Sequence, residues 1–276
     1  MNKRLLIVVD MEGIAGIPMS HIWSTVPGFP TYYPKRRLLV REVNAAIAGA
    51  LNAGIHPEEI VVLDWHWVHL NFFEKDLPSG VTLIRDGEGD LLRSGSIEKI
   101  FLLGFHGGAG TFARYAHTMR YAIKTMRVAG KTIGETGLWS YVAGSMHVPV
   151  ALITGDSLAI EEMKQYGGET VCIETKNQKE TPSPDLIYEK IEKAAEEAVD
   201  KTIAPIPTSS PFAIEFIFKS RKLTKDIPQK YFTRRNNEYL VIENKTALEV
   251  YENFRGKIYA YLKKVNPLYL VRNYFT

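Results

Sequence analysis

Carboxylate and imidazole side chains stand at widely separated points of the first half of the chain, each after an aliphatic run or at a predicted helix start. They are Asp10, Glu12, His66, His106 and Glu135. Asp10 and Glu12 are two positions apart, and an extended backbone points such a pair in the same direction. Carboxylates together with imidazoles form a ligand set that suits Zn²⁺ and related divalent cations. The residue types therefore indicate a metal site, although each residue alone also has an ordinary interpretation as a turn cap or a hydrogen-bonded histidine.

Short aliphatic runs explain how these side chains come together. Residues 5–9, 60–63 and 100–103 are typical of buried strands, and each run is followed by polar residues. An amphipathic helix is predicted between Pro34 and Gly54, which gives a strand–helix–strand unit. In open α/β sheets, functional groups gather beyond the carboxyl ends of the strands. We therefore predict a three-layer α/β/α fold with a largely parallel sheet and a metal site at one edge of that sheet.

The character of the chain changes near its middle. Glu135 falls in the first turn of a predicted helix, in the part that carries the candidate ligands. Farther on, helices and strands alternate around a polar, proline-bearing segment at residues 176–184. This change predicts a metal-binding α/β catalytic domain at residues 1–155 and a smaller C-terminal α/β region for packing and assembly at residues 156–276.

The composition argues against several classes of partner. The 276 residues include 34 basic and 31 acidic side chains spread along the chain, so no concentrated basic face indicates nucleic acid. No apolar run approaches the roughly 20 residues that span a bilayer, and the run after Met1 ends at Asp10, too early for a signal peptide. The single cysteine, Cys172, cannot form an internal disulfide, which favours a reducing compartment. We therefore expect a cytoplasmic protein without nucleic-acid or membrane partners.

Five short segments form a signature that is specific in combination. They are residues 9–16 (VDMEGIAG), 64–66 (DWH), 104–106 (GFH), 116–119 (AHTM) and 134–138 (GETGL). In this order they resemble the M55 family of metallopeptidases, the D-aminopeptidase group. The match extends from Asp10 to about Asp156 and so covers more than half of the chain.

The resemblance implies a site with two zinc ions in each subunit. The residue matching Asp10 bridges both metals. Those matching Glu12 and His66 complete the coordination of one metal. Those matching His106 and Glu135 complete that of the other.

His117 matches the family's catalytic histidine beside the metals. Imidazole titrates near the working pH, so this ring can take a proton from an attacking water or stabilise the tetrahedral intermediate. The family also implies a homo-oligomer, a decamer whose active sites face an internal cavity, and short peptides containing D-amino acids as substrates. We therefore predict a binuclear zinc-dependent aminopeptidase that hydrolyses the N-terminal amide bond of short peptides.

Some features leave alternatives open. Residues 67–72 are more aromatic and apolar than the family's segment, and a glycine-rich stretch occupies residues 107–110, so the substrate preference is not fixed by the resemblance. His69 is an additional imidazole, which we place behind the ligands or in the pocket wall. A binuclear site of carboxylates and histidines also suits phosphate esters or another amide. A cytoplasmic peptide-binding protein is the alternative outside the enzymes.

Overall fold

The computed structural model describes residues 4–19, 25–67, 69–111, 116–166, 169–219, 227–236 and 239–259. Its strands are β1 (Arg4–Val9), β2 (Ile60–Asp64), β3 (Thr82–Ile84), β4 (Ile97–Phe105), β5 (Ile123–Val128), β6 (Lys131–Ile133), β7 (Val150–Asp156), β8 (Val171–Lys176), β9 (Phe212–Phe218), β10 (Arg234–Asn236) and β11 (Tyr239–Asn244). Its α-helices are α1 (Tyr32–Asn52), α2 (Glu88–Arg93), α3 (Glu135–Ser145), α4 (Ser157–Lys164), α5 (Pro184–Asp200) and α6 (Ala247–Glu252), the last continued by a π-helical stretch (Asn253–Tyr259). Within these ranges, no helix combines the length and the apolar character needed to cross a lipid bilayer.

The larger sheet has six parallel strands in the order β3-β2-β1-β4-β7-β8. The pairing places Val9, the last residue of β1, beside Asp64 of β2 and Leu103 of β4. Parallel neighbours end at the same edge of a sheet, so the residues that follow β1, β2 and β4 emerge side by side. This edge is where the sequence predicts the functional groups.

Alternate residues of β1 face two different apolar cores, because successive side chains of a strand point to opposite faces. Leu5, Ile7 and Val9 pack with the apolar faces of α1 and α5. Leu6 and Val8 pack on the other side with residues of α3, α4 and a second sheet. Burial on both faces explains why residues 5–9 include no polar residue. The arrangement confirms the predicted α/β fold with a largely parallel sheet flanked by helices.

The second sheet is antiparallel, with the order β10-β11-β9-β5-β6. In β9 the buried residues alternate with half-buried ones, as expected for a strand with one face on the core. The buried residues are Phe212, Ile214, Phe216 and Phe218. Their side chains pack in the same core as Leu6 of the large sheet, which places the small sheet against it.

The predicted division between residues 155 and 156 falls at the end of β7. The large sheet takes its last strand, β8, from beyond this point, and the small sheet takes β5 and β6 from before it. The two-domain division stays a prediction. Residues 260–276 of the predicted C-terminal region lie outside the described residues.

Candidate metal centre

All five candidate ligands meet at the carboxyl edge of the large sheet. Nδ1 of His66 lies 3.0 Å from Oδ1 of Asp10 and 3.1 Å from Oε2 of Glu12. Nε2 of His106 lies 3.4 Å from Oδ2 of Asp10 and 3.7 Å from Oε1 of Glu135. Asp10 therefore lies between the two histidines, with one carboxylate oxygen directed to each. Glu12 is partly buried and the other four side chains are buried.

Neighbouring strand ends bring these side chains together. Asp10 follows β1 directly, His66 lies two residues beyond β2, and His106 follows β4. The backbone N–H of Asp10 donates to the carbonyl oxygen of Leu103 at 2.8 Å, which ties the end of β1 to β4. Glu135 arrives from the other sheet, as the first residue of α3 after β6.

The loop after β1 passes in direct contact with the end of β4. The N–H of Gly13 donates to the carbonyl oxygen of Gly104 at 2.8 Å. A Cβ at Gly13 would lie 1.7 Å from the carbonyl oxygen of Phe105. Gly104 has φ +74°, and its Cβ would lie 2.2 Å from the carbonyl oxygen of Asp10. Both positions require glycine, because a side chain on either would force the two backbones apart.

Three carboxylates and two imidazoles share this buried space, so each changes the titration of the others. Burial lowers the pKa of His66, but the nearby charges and hydrogen bonds of Glu12 and Asp10 outweigh it and hold that pKa well above the usual value. Burial also lowers the pKa of His106. The hydrogen bond and charge of Glu135 and the charge of Asp10 outweigh this effect and hold the pKa well above the usual value. Burial and the charge of Glu12 raise the pKa of Asp10 to about 7. Such a cluster attracts either protons or a metal cation.

The donor atoms at the centre fit a divalent cation. Oδ2 of Asp10 and Nε2 of His106 are buried and have no hydrogen-bond partner among the residues that the structure describes. Buried polar atoms are almost always hydrogen-bonded, so two such atoms 3.4 Å apart without a hydrogen-bond partner are the arrangement expected of residues that bind a cation. Ligand atoms of Asp10, Glu12 and His106 lie within 4.8 Å of one another. Oxygen and nitrogen donors in this combination suit Zn²⁺.

His117 is buried beside this cluster. Its ring stacks on that of His106 with 4.4 Å between centroids, and it also stacks on that of Tyr121 at 4.6 Å. One ligand atom each of His106, His117 and Glu135 lie within 4.8 Å of one another. His117 is therefore close enough to the ligands either to move a proton there or to bind a metal itself, and the catalytic role stays a prediction.

His69 lies in the same loop as His66, and its backbone N–H donates to the carbonyl oxygen of His66 at 3.0 Å. Its Nδ1 lies 2.7 Å from the carbonyl oxygen of Asp64, and its Nε2 lies 3.3 Å from Nη2 of Arg255. A neutral ring that donates through Nδ1 and accepts through Nε2 satisfies both contacts. Burial and the charge of Arg255 lower the pKa of His69, which favours this neutral form. Both nitrogens are engaged away from the cluster, which supports the predicted place outside the ligand set.

Sequence reasoning missed three charged residues close behind the cluster, Asp156, Glu162 and Lys176. Asp156 ends the apolar strand β7 much as Asp10 follows β1, so the same strand-end signal could have identified it. Glu162 lies on an amphipathic helix, and Lys176 is the last residue of β8, next to a polar loop; charged residues are common at both kinds of position. Neither position carries a local signal of its role.

Comparisons with known proteins identify a family and a fold for this chain. A family model described as D-aminopeptidase matches residues 3–255. The D-aminopeptidase of Bacillus subtilis (strain 168) is 31% identical over 169 residues, which are 59% of this chain and 59% of that relative. Among solved structures, the Zn-dependent D-aminopeptidase DppA from Bacillus subtilis, a self-compartmentalizing protease, has a TM-score of 0.83 and 22% identity, with 94% of this chain and 97% of that chain covered.

The family model covers almost the whole chain. The chain belongs to the M55 peptidase family, as the five-segment signature predicted. The structural likeness confirms the predicted fold, including the central parallel sheet.

Proposed function

We propose that this chain is a binuclear zinc-dependent aminopeptidase that releases the N-terminal residue of short peptides, with D-amino acids preferred at that position. The observation that carries the proposal is the placement of Asp10. Its Oδ1 lies 3.0 Å from Nδ1 of His66, and its Oδ2 lies 3.4 Å from Nε2 of His106. A carboxylate with one oxygen directed to each of two imidazoles has the arrangement expected of a ligand shared by two metals. The membership in the M55 family supports a peptide substrate.

Each half of the cluster supplies ligands for one metal. Glu12 and His66 would hold one zinc ion, and His106 and Glu135 would hold the other, with Asp10 shared between them. A bound pair of cations supplies a water of lowered pKa and polarises the scissile carbonyl. Because four of the five ligands are buried, the charges act in a medium of lower dielectric constant than water.

The chain's own proton carrier in this proposal is His117. Its ring lies against His106 at the side of the cluster that also holds Glu135. A ring nitrogen of His117 would accept the proton of the attacking water and return it to the amine that leaves. Tyr121 also stacks on this ring, with 4.6 Å between centroids, and this contact would help to hold its orientation. The products are one free amino acid and the shortened peptide.

The assembly of the chain is part of the proposal. We infer a cytoplasmic homo-oligomer, a decamer, with the active sites facing an enclosed space that admits short peptides. The solved relative is a self-compartmentalizing protease. Among the described residues, five large apolar side chains are exposed and offer surface for contacts between subunits: Phe29, Tyr33, Leu70, Phe73 and Leu186. Sedimentation of the purified chain would measure its mass directly, and a monomer at micromolar concentration would contradict the assembly.

The decisive experiment couples metal content to hydrolysis. Zinc per chain is measured on the purified protein, and release of free amino acid is followed from matched D- and L-dipeptides with and without chelator. We expect about two metals per chain and cleavage that the chelator abolishes and added Zn²⁺ restores. Metal without peptide cleavage, but with cleavage of a phosphate ester or another amide, would replace the aminopeptidase assignment. Peptide binding without turnover would favour a binding protein.

A further inference from the structure

A set of charged side chains on residues 156–176 lies behind the candidate ligands. The first is Asp156, which is 4% exposed. Its Oδ2 accepts a hydrogen bond of 3.1 Å from the N–H of Gly107, the residue after His106. Its Oδ1 caps α4 by accepting from two N–H groups of the first turn. One carboxylate therefore joins the start of α4 to the loop that carries His106.

The second is Glu162 on α4. Its Oε1 accepts from the N–H of Gly134 at 2.6 Å, from the N–H of Gly137 at 3.1 Å and from the hydroxyl of Tyr166 at 3.2 Å. These two glycines flank Glu135 at the N-terminus of α3. A Cβ on Gly134 would lie 2.5 Å from Oε2, and one on Gly137 would lie 2.6 Å from Oε1. Because neither glycine has a Cβ, the carboxylate of Glu162 has room to lie against both.

The third is Lys176 at the end of β8, which is 1% exposed. Its Nζ donates to the carbonyl oxygen of Glu12 at 2.5 Å and to that of Ile14 at 2.8 Å. The hydroxyl of Thr175 donates to the carbonyl oxygen between them, that of Gly13, at 2.5 Å. A buried ammonium is costly unless it is hydrogen-bonded, and here two of its hydrogen bonds go to the ligand-bearing loop. The last two side chains of β8 therefore donate hydrogen bonds to three consecutive carbonyl groups in the loop after β1.

We propose that Asp156, Glu162 and Lys176 are positioning residues that preorganise the metal centre. Each is hydrogen-bonded to the main chain at a different candidate ligand, and none supplies an atom to the cluster itself. Ligands that are fixed in advance lose less freedom when the metal binds, and groups behind the ligands typically change metal affinity by about 10–100-fold. The inference rests on the proposed function only in taking the cluster as a metal centre, and it is independent of the substrate.

Glu162 allows a test with a built-in conservative variant. Glu162→Met removes the acceptor, whereas Glu162→Gln keeps an oxygen for the two N–H groups. Co²⁺ titration of the metal-free chain, followed by visible absorption, should show that Glu162→Met weakens one of two sites by about 10–100-fold and alters its spectrum. Glu162→Gln should remain within a few-fold of wild type. Glu161→Met, at the exposed neighbouring position, is the matched control and should change neither site.

Lys176 is expected to act on the other half of the centre. Lys176→Met should weaken the Co²⁺ site that depends on Glu12, while Lys164→Met, at an exposed lysine of α4, should leave both sites unchanged. If Lys176→Met does not fold, as judged by circular dichroism of the metal-free chain, Thr175→Val replaces it. This near-isosteric change removes the hydroxyl that lies 2.5 Å from the carbonyl oxygen of Gly13 and 2.9 Å from that of Gly155.

Double variants separate positioning from general loosening. Glu162→Met combined with Glu135→Gln should lose no more Co²⁺ affinity than Glu135→Gln alone, because the affected site is already disabled. Combined with Glu12→Gln, it should show its full effect. Equal losses on both backgrounds would overturn the assignment of Glu162 to Glu135.

The outcomes distinguish this inference from the proposed function. Two Co²⁺ sites with wild-type affinity in both Glu162→Met and the folded Lys176 or Thr175 variant would overturn the positioning role. Two Co²⁺ sites that respond as expected, in a chain that cleaves no peptide, would refute the aminopeptidase and uphold the positioning role. A wild-type chain that takes up no Co²⁺ would overturn both.

Discussion

The imidazole rings of His106 and His117 lie stacked, with centroids 4.4 Å apart and planes inclined by 21°. This contact places a second imidazole at the side of the cluster where Glu135 lies. A ring in this place serves either as a proton carrier or as a further metal ligand. Removal of a proton carrier would leave both metals bound, whereas removal of a metal ligand would reduce the metal content.

Replacement of His117 by alanine tests these roles. We expect His117→Ala to keep about two metals per chain and to lose peptide hydrolysis by about 10²–10⁴-fold, the usual contribution of a general acid–base group. Metal content by elemental analysis and kcat on a dipeptide are measured on the same sample. Tyr121→Phe, which keeps the stacked ring, should retain both metals and most activity. A fall to about one metal in His117→Ala would make His117 a ligand instead.

The carboxylate ligands are tested one at a time. Glu12→Gln and Glu135→Gln keep the size of the side chain but remove its charge, so each should reduce the metal content from about two to about one and abolish most activity. Glu161→Gln, exposed on α4, is the control that should retain both metals. Unchanged stoichiometry in either site variant would remove that residue from the ligand set.

The pH dependence of stability should differ between the metal-free and the metal-bound chain. The pKa of His66 is raised well above its usual value of 6.5, and that of His106 is raised as well. Above pH 6.5 the unfolded chain loses these protons while the metal-free folded chain keeps them, so its stability falls as the pH rises through the raised pKa. Protons compete with the metal, so Zn²⁺ affinity should rise over the same range.

Thermal unfolding between pH 6.5 and 9 measures both effects. With chelator, the melting temperature should decrease as the pH rises, and the increase produced by Zn²⁺ should become larger. Release of protons on metal addition, followed in weakly buffered solution, gives an independent measure. A Zn²⁺-induced increase that shrinks with rising pH would contradict protonated histidines in the metal-free site.

His69 gives a prediction for a histidine outside the ligand set. Both of its nitrogens are engaged, with Asp64 and with Arg255. His69→Ala should therefore retain two metals and cost about 1–3 kcal/mol of unfolding free energy, because partly buried partners lose their hydrogen bonds. Chemical denaturation and metal analysis together decide the outcome. Loss of one metal from the folded variant would place His69 among the ligands.

The strand ends that carry the site are predictable from sequence. The runs predicted at residues 5–9, 60–63 and 100–103 lie within β1, β2 and β4. They are recognisable because strands buried on both faces need unbroken apolar residues, and a polar residue at the end then marks the sheet edge. The convergence of Asp10 and His106 follows from that edge.

Other parts of the fold are not predictable in this way. The strands β3, β6 and β10 have three residues each, too few to show an alternating pattern. The pairing of β5 with β9 joins segments far apart in the chain and depends on tertiary packing rather than on local propensity.

The contacts of the positioning residues are also not predictable from local sequence. Lys176 and Glu12 are far apart in sequence, and their contact exists only because β8 and the loop after β1 meet in the folded sheet. The glycines beside Glu135 are visible in the sequence, but the carboxylate that fills the space beside them lies on another helix.

The cluster draws its members from two sheets. Asp10 and His106 follow strands of the parallel sheet, whereas Glu135 follows β6 of the antiparallel one. A cation held by all three would cross-link the two layers and add about 2.7 kcal/mol of stability when its concentration exceeds the dissociation constant by about 100-fold. In a cell with little zinc, the two sheets would then separate more readily. The rate at which proteases degrade the chain would therefore depend on the concentration of available metal.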